Sequence, residues 1–99
     1  MVLRWFNTKE AEEFGNTLAS FFDEKCRANM KANDHKVLAK QQKLVAEVMS
    51  KAQHFKATHK LNTYQKAKLG NAFKWKLRDL GHETQLIDLM VKDLMFSLR

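Results

Sequence analysis

The sequence predicts an all-α fold: one four-helix domain made of a long antiparallel helical hairpin and two shorter helices. Three observations carry this. The 99 residues contain no Pro and only three Gly, so little interrupts a helix. Apolar residues recur at three- and four-residue steps through most of the chain. Capping residues stand at the breaks between those stretches. The length fits a single domain, residues 1–99, with one core and little left to shape a deep pocket. No internal repeat or low-complexity segment stands out.

The first helix runs from about Thr8 to about Met30. Asn7 is a good N-cap, and Glu10 three residues on can close a capping box. Glu10, Glu12 and Glu13 sit where the helix dipole favours negative charge. Ala11, Phe14, Leu18, Phe21, Phe22 and Cys26 share one face. Gly15 lies beside that stripe. Glycine there costs about 1 kcal/mol against Ala, and close approach of another helix is a reason to tolerate it.

The second helix starts near Asn33 or Asp34 and runs to about Lys60. Its apolar face holds Val37, Leu38, Leu44, Val45, Val48, Met49, Ala52 and Phe55. The short connection at about Lys31–Asn33 makes the first two helices an antiparallel hairpin. Weak helix formers from Thr58 to Thr63 mark the next break. Asn62 can cap the third helix, with Gln65 in the box position. Without that break, the second and third helices would merge into one rod.

The third helix runs from about Thr63 to Leu80, with Leu69, Phe73, Leu77 and Leu80 as its core stripe. Phe73, Trp75 and Leu77 alternate with Lys74 and Lys76 as a strand would, but the flanks are helical. Gly81 suits the left-handed residue that ends this helix. The fourth helix runs from about Glu83 to Leu98 and is the most apolar.

Charge is the strongest functional clue. Charged residues make up 29% of the chain and the net charge is +7. Residues 31–78 hold eleven Lys and Arg78 against Asp34 and Glu47 alone, while both ends are slightly acidic. Lys36, Lys40, Lys43 and Lys51 fall on one face of the second helix, away from its apolar stripe, with His54 on the same line and Glu47 interrupting it. Such a row can follow a phosphate backbone by releasing counterions. It also fits a plain solvated face, although a solvated face usually mixes both signs. Four phosphates engaged would give a salt slope of about −3 to −4.

Trp75 falls near Tyr64 and Lys68 on a helical wheel, away from the Leu69/Phe73/Leu77 stripe. With Lys68, Lys74 and Lys76 around it, its ring could stack on an unpaired base or meet an anionic partner. Large aromatics in so small a domain are more often buried, so packing beneath the first helix or under lysine stems is the commoner fate.

Other chemistry finds little support. Gly81 and Ile87 resemble the turn glycine and following apolar position of a helix–turn–helix. However, Leu77 stands where a small residue belongs, and Glu83, Asp88 and Asp93 would repel phosphates. His54 and His59 are five apart, which does not put them on one face as a metal pair. His59 falls on the apolar side of the second helix, where a hydrogen-bonded core histidine is expected. Cys26 lies on an apolar face, which favours an inert buried thiol, and a single cysteine fits a reducing, cytoplasmic setting. There is no phosphate loop and no nucleophile elbow. No enzyme activity, metal, cofactor or small-molecule substrate is expected.

Ile87, Met90, Val91, Leu94 and Leu98 form one stripe on the fourth helix. Leu86, Leu89 and Phe96 extend onto a second, which suits either a central place in the fold or a dimer contact. The sequence thus points to a small non-enzymatic binding or adaptor module with a basic face. It would self-associate through Leu86, Leu89 and Phe96 or engage an acidic protein. The alternative is sequence-independent nucleic-acid binding through the lysine-rich face of the second and third helices. Attachment to a membrane ranks last, because the second helix needs its apolar face for the core.

Overall fold

Four helices follow one another: α1 (Lys9–Asn29), α2 (Val37–His59), α3 (Thr63–Asp79) and α4 (Thr84–Ser97), with no strand among the described residues. They belong to a computed structural model that describes residues 8–29 and 37–99, with side chains for 8–28 and 41–99. The Asn7 cap, the Lys31–Asn33 connection and the Asn33/Asp34 start lie outside the described residues.

At the start of α1, the Thr8 carbonyl accepts the Glu12 N–H at 2.8 Å, and the Thr8 hydroxyl donates to Glu12 Oε2 at 2.9 Å. Glu10 reaches α2, where its Oε1 lies 3.0 Å from His59 Nε2; its box with Asn7 lies outside the described residues. The break between α2 and α3 falls where the weak helix formers put it. Asn62 accepts from the Gln65 N–H at 2.8 Å, and the Gln65 side chain accepts from the Asn62 N–H at 3.0 Å, completing the capping box. Lys60 ends α2 with φ of 48°, left-handed for a side-chain-bearing residue. That conformation costs roughly 1–2 kcal/mol outside glycine. Lys60→Gly should therefore stabilise the domain by about 0.5–1 kcal/mol after its larger unfolded-state entropy is deducted. Thermal unfolding checks this, and a lower midpoint would contradict it.

Gly81 takes the same left-handed role after α3, with φ of 88°. Its N–H reaches the Arg78 carbonyl at 3.0 Å, and the His82 N–H reaches Leu77 at 3.2 Å. This pair of bonds is a Schellman motif.

Helix order around the bundle is α1–α2–α4–α3. α1 packs on α2 and on α3, α4 packs on those same two, and the pairs α1/α4 and α2/α3 lie on the diagonals. α1 and α2 run antiparallel. Glu10 meets His59, Phe14 stacks on Phe55 with ring centroids 3.9 Å apart, and Phe21 meets Lys51. The broadest packing of α1 is nevertheless with α3, so α2 is not its main partner. At that seam a Cβ built on Gly15 would lie 2.5 Å from the Leu69 carbonyl oxygen and 3.1 Å from the Phe73 nitrogen. The missing side chain is what lets the two backbones meet.

The core forms where these faces converge: Leu18, Phe22, Val48, Phe73, Leu77 and Leu94 are all buried. Phe14, Phe21 and Cys26 are half-buried at its edge. Val37 and Leu38 have side chains outside the described residues.

Candidate functional site

α3 touches α1 through Gly15 and α4 through Gly70, where Met95 fills the space a Cβ would take. Those two contacts leave the third side of the helix facing out. At about 100° per residue, Tyr64, Lys68, Asn71, Trp75 and Arg78 all fall on that side. Trp75 is 53% exposed and Tyr64 39%. The expectation that Trp75 is buried under α1 is therefore wrong. A residue so far from the Leu69/Phe73/Leu77 stripe has no neighbouring helix to cover it.

Cations frame both rings. The Arg78 guanidinium lies 5.3 Å and Lys74 Nζ 5.9 Å from the Trp75 ring centroid, and Lys68 Nζ lies 5.6 Å from that of Tyr64. None of these three cations has a carboxylate within 4 Å among the described residues. Asp79 is the one acid of α3, against five basic residues. Lys74 and Lys76, two residues apart, project from opposite flanks and are both half-buried. Lys76 stands on the flank opposite Lys74, and the cation contacts of the Trp75 ring come from Lys74 and Arg78. Arg78 is the member that spacing missed; its signal was the three-residue step from Trp75.

Lys43 and Lys51, on α2, do not join this surface. Lys36 lies outside the described residues, and Lys40 has its side chain outside them. Lys43 is exposed. Lys51 is exposed too, but it sits on the flank of the apolar stripe, with Nζ 4.8 Å from the Phe21 ring centroid. Because α2 and α3 are diagonal, their outward faces open on different sides of the bundle. Among the described residues, no continuous lysine wall crosses both helices.

Lys51 instead borders an open cleft of about 610 Å³ between α1 and α2. Its floor is Phe14, Leu18, Phe21 and Phe55, and His54 and His59 stand on its rim. His59 is not a core histidine. It lies at the exposed end of α2, stacked on Phe55 at 4.0 Å, with Nδ1 3.0 Å from the Phe55 carbonyl oxygen.

The buried polar site lies elsewhere. Asp23 is 8% exposed and accepts from Arg27 Nε and from His82 Nε2, both at 2.9 Å. The Arg27 hydrogen bond holds its carboxyl below the ordinary 3.8 against the opposing effect of burial, and His82 adds to the lowering. Burial, with the Asp23 charge beside it, pushes the Cys26 thiol up, which disfavours the reactive thiolate.

On α4, Leu89 is 65% and Phe96 70% exposed, whereas Leu86 is half-buried against the core. The second apolar stripe therefore faces out of the bundle at Leu89 and Phe96, and Leu86 belongs to the core edge. Among the described residues no three His, Cys, Asp or Glu side chains gather as a metal site requires. No described helix is long and apolar enough to cross a membrane. The chain matches no family model, no curated protein and no solved structure.

Proposed function

We propose that this chain is a small non-enzymatic binding module whose working surface is the outward face of α3, and that its partner is a single-stranded nucleic acid. The observation that carries this reading is the exposed Trp75 ring with Lys74 and Arg78 beside it. An unpaired base offers a π-face to the ring while its phosphates meet the cations, so one ligand class uses both halves of the surface. An acidic protein segment also uses the cations, and it matches the ring only where an apolar side chain stands beside its carboxylates.

Lys68, Lys74 and Arg78 engage about three phosphates, giving a salt slope near −2 on a single strand. Trp75→Ala should weaken binding of a labelled oligothymidylate about tenfold, in line with the ~1–3 kcal/mol of one stacked base. Fluorescence anisotropy at several salt concentrations measures both. Equal affinity of wild type and variant, or binding only to an acidic peptide, would overturn the nucleic-acid assignment.

A further inference from the structure

We infer that the cleft between α1 and α2 binds a free fatty acid, with its chain along the phenylalanine floor and its carboxylate at Lys25 and Lys51. The cleft has about 610 Å³, which is the size of a small-ligand site. Its floor is apolar, with Phe14, Leu18 and Phe21 from α1 and Phe55 from α2. Phe14 and Phe21 are seven residues apart, so the floor runs about 10 Å along α1. The two ends of the cleft differ. At the Phe14 end, Phe14, Phe55 and His59 stack in sequence, and the Glu10–His59 bridge ties α1 to α2. The Glu10 carboxylate there repels another. At the Phe21 end, Lys51 Nζ lies 4.8 Å and Lys25 Nζ 5.8 Å from the ring centroid. Neither amine has a carboxylate within 4 Å among the described residues, Glu47 one turn from Lys51 included.

This asymmetry selects the ligand and its direction. An apolar floor with cations at one end only fits an unbranched apolar chain that carries a single anionic head. Lysine ammonium groups are compact point charges, which suit a carboxylate. The chain runs from Lys51 toward Phe14 and stops at the Glu10–His59 bridge. A partner helix would run past both ends of its groove, and the bridge stands in its way. No lining residue comes from α3, so the inference does not rest on the nucleic-acid reading.

Isothermal titration calorimetry of the full chain with decanoate tests this, with decyltrimethylammonium as the same chain under the opposite charge. Decanoate should bind with a Kd on the order of 100 µM, as an open site allows, and at least tenfold more tightly than the cation. Octanoate, with two fewer methylenes to bury, should bind about tenfold more weakly than decanoate. Lys25→Gln/Lys51→Gln should remove the preference for the anion with helicity unchanged. Thr17 lines the cleft from an exposed position, so Thr17→Trp fills the space without deleting a core side chain and should remove binding of both amphiphiles. No saturable binding of decanoate overturns the proposal, as does equal affinity for the two amphiphiles or binding that survives Thr17→Trp. Binding that emerges only in Trp5→Ser/Phe6→Ser overturns it too, because the first residues of the chain are then the occupant. Adsorption to phosphatidylglycerol vesicles without decanoate binding assigns the cleft to a membrane surface and also overturns it. Oligothymidylate affinity should be the same with and without decanoate, so failure of either proposal leaves the other standing.

Discussion

Gly15→Ala is expected to lower the melting temperature by about 10 °C, although alanine is the better helix former by about 1 kcal/mol. The added methyl would lie 2.5 Å from the Leu69 carbonyl oxygen, 3.0 Å from the Ala72 Cβ and 3.1 Å from the Phe73 nitrogen. Two of those three atoms are backbone, so no rotamer change relieves the clash. α3 must move off α1, loosening the seam beside Leu18, Phe22 and Phe73, all buried. Overpacking of this kind costs roughly 1–3 kcal/mol, and with no flexible side chain to yield the upper part of that range applies, leaving a net loss of about 2 kcal/mol. In a domain of this size each kcal/mol is worth about 4–8 °C. Calorimetry of the variant checks the value. A melting point at or above wild type would mean that α1 and α3 do not approach so closely.

Asp23→Ala is expected to cost about 2–3 kcal/mol, because it removes the acceptor of two donors at once. The share from Arg27 is small, since that side chain is 70% exposed and water screens the pair. The share from His82 dominates, since its side chain is only 15% exposed and its Nε2–H would be left facing an apolar methyl. The wild type should also lose stability in acid. The native carboxyl lies below its ordinary 3.8. In the window between the native and unfolded values the unfolded chain binds a proton that the native one does not. Stability therefore rises with pH through that window, is fully present above it, and is lost as pH falls through the native value. Urea unfolding at pH 7 and at pH 3 should show the difference between wild type and Asp23→Ala shrinking in acid. A constant difference would contradict the charged pairing.

Much of the fold was legible because its signals are local. The capping box at Asn62 and Gln65, the left-handed Gly81 and the core stripes each depend on residues within about two turns of one another. Gly15 was legible as a close approach, though not which helix would approach it. Neighbour relations between helices were not legible. An amphipathic stripe says which side faces inward but not which helix it meets, so the diagonal placement of α2 and α3 had no sequence signal. Of the lysines read as one wall, Lys43 and Lys51 are parted from those of α3 by that placement. Asp23 and His82, 59 positions apart, are joined only by the folded chain. Trp75 was placed correctly by its angle on the helix and misjudged by its size. On a helix with neighbours on two sides, direction decides exposure and ring volume does not.

The most direct measurement of the central claim uses Trp75 as its own reporter. With Trp5→Phe removing the other indole, the emission of Trp75 can be followed while oligothymidylate is added at low salt. A stacked base should quench that emission along a saturating curve, and added salt should reverse it. Emission that stays unchanged while anisotropy reports a bound oligomer would place the nucleic acid elsewhere on the molecule and contradict the assignment of the α3 face.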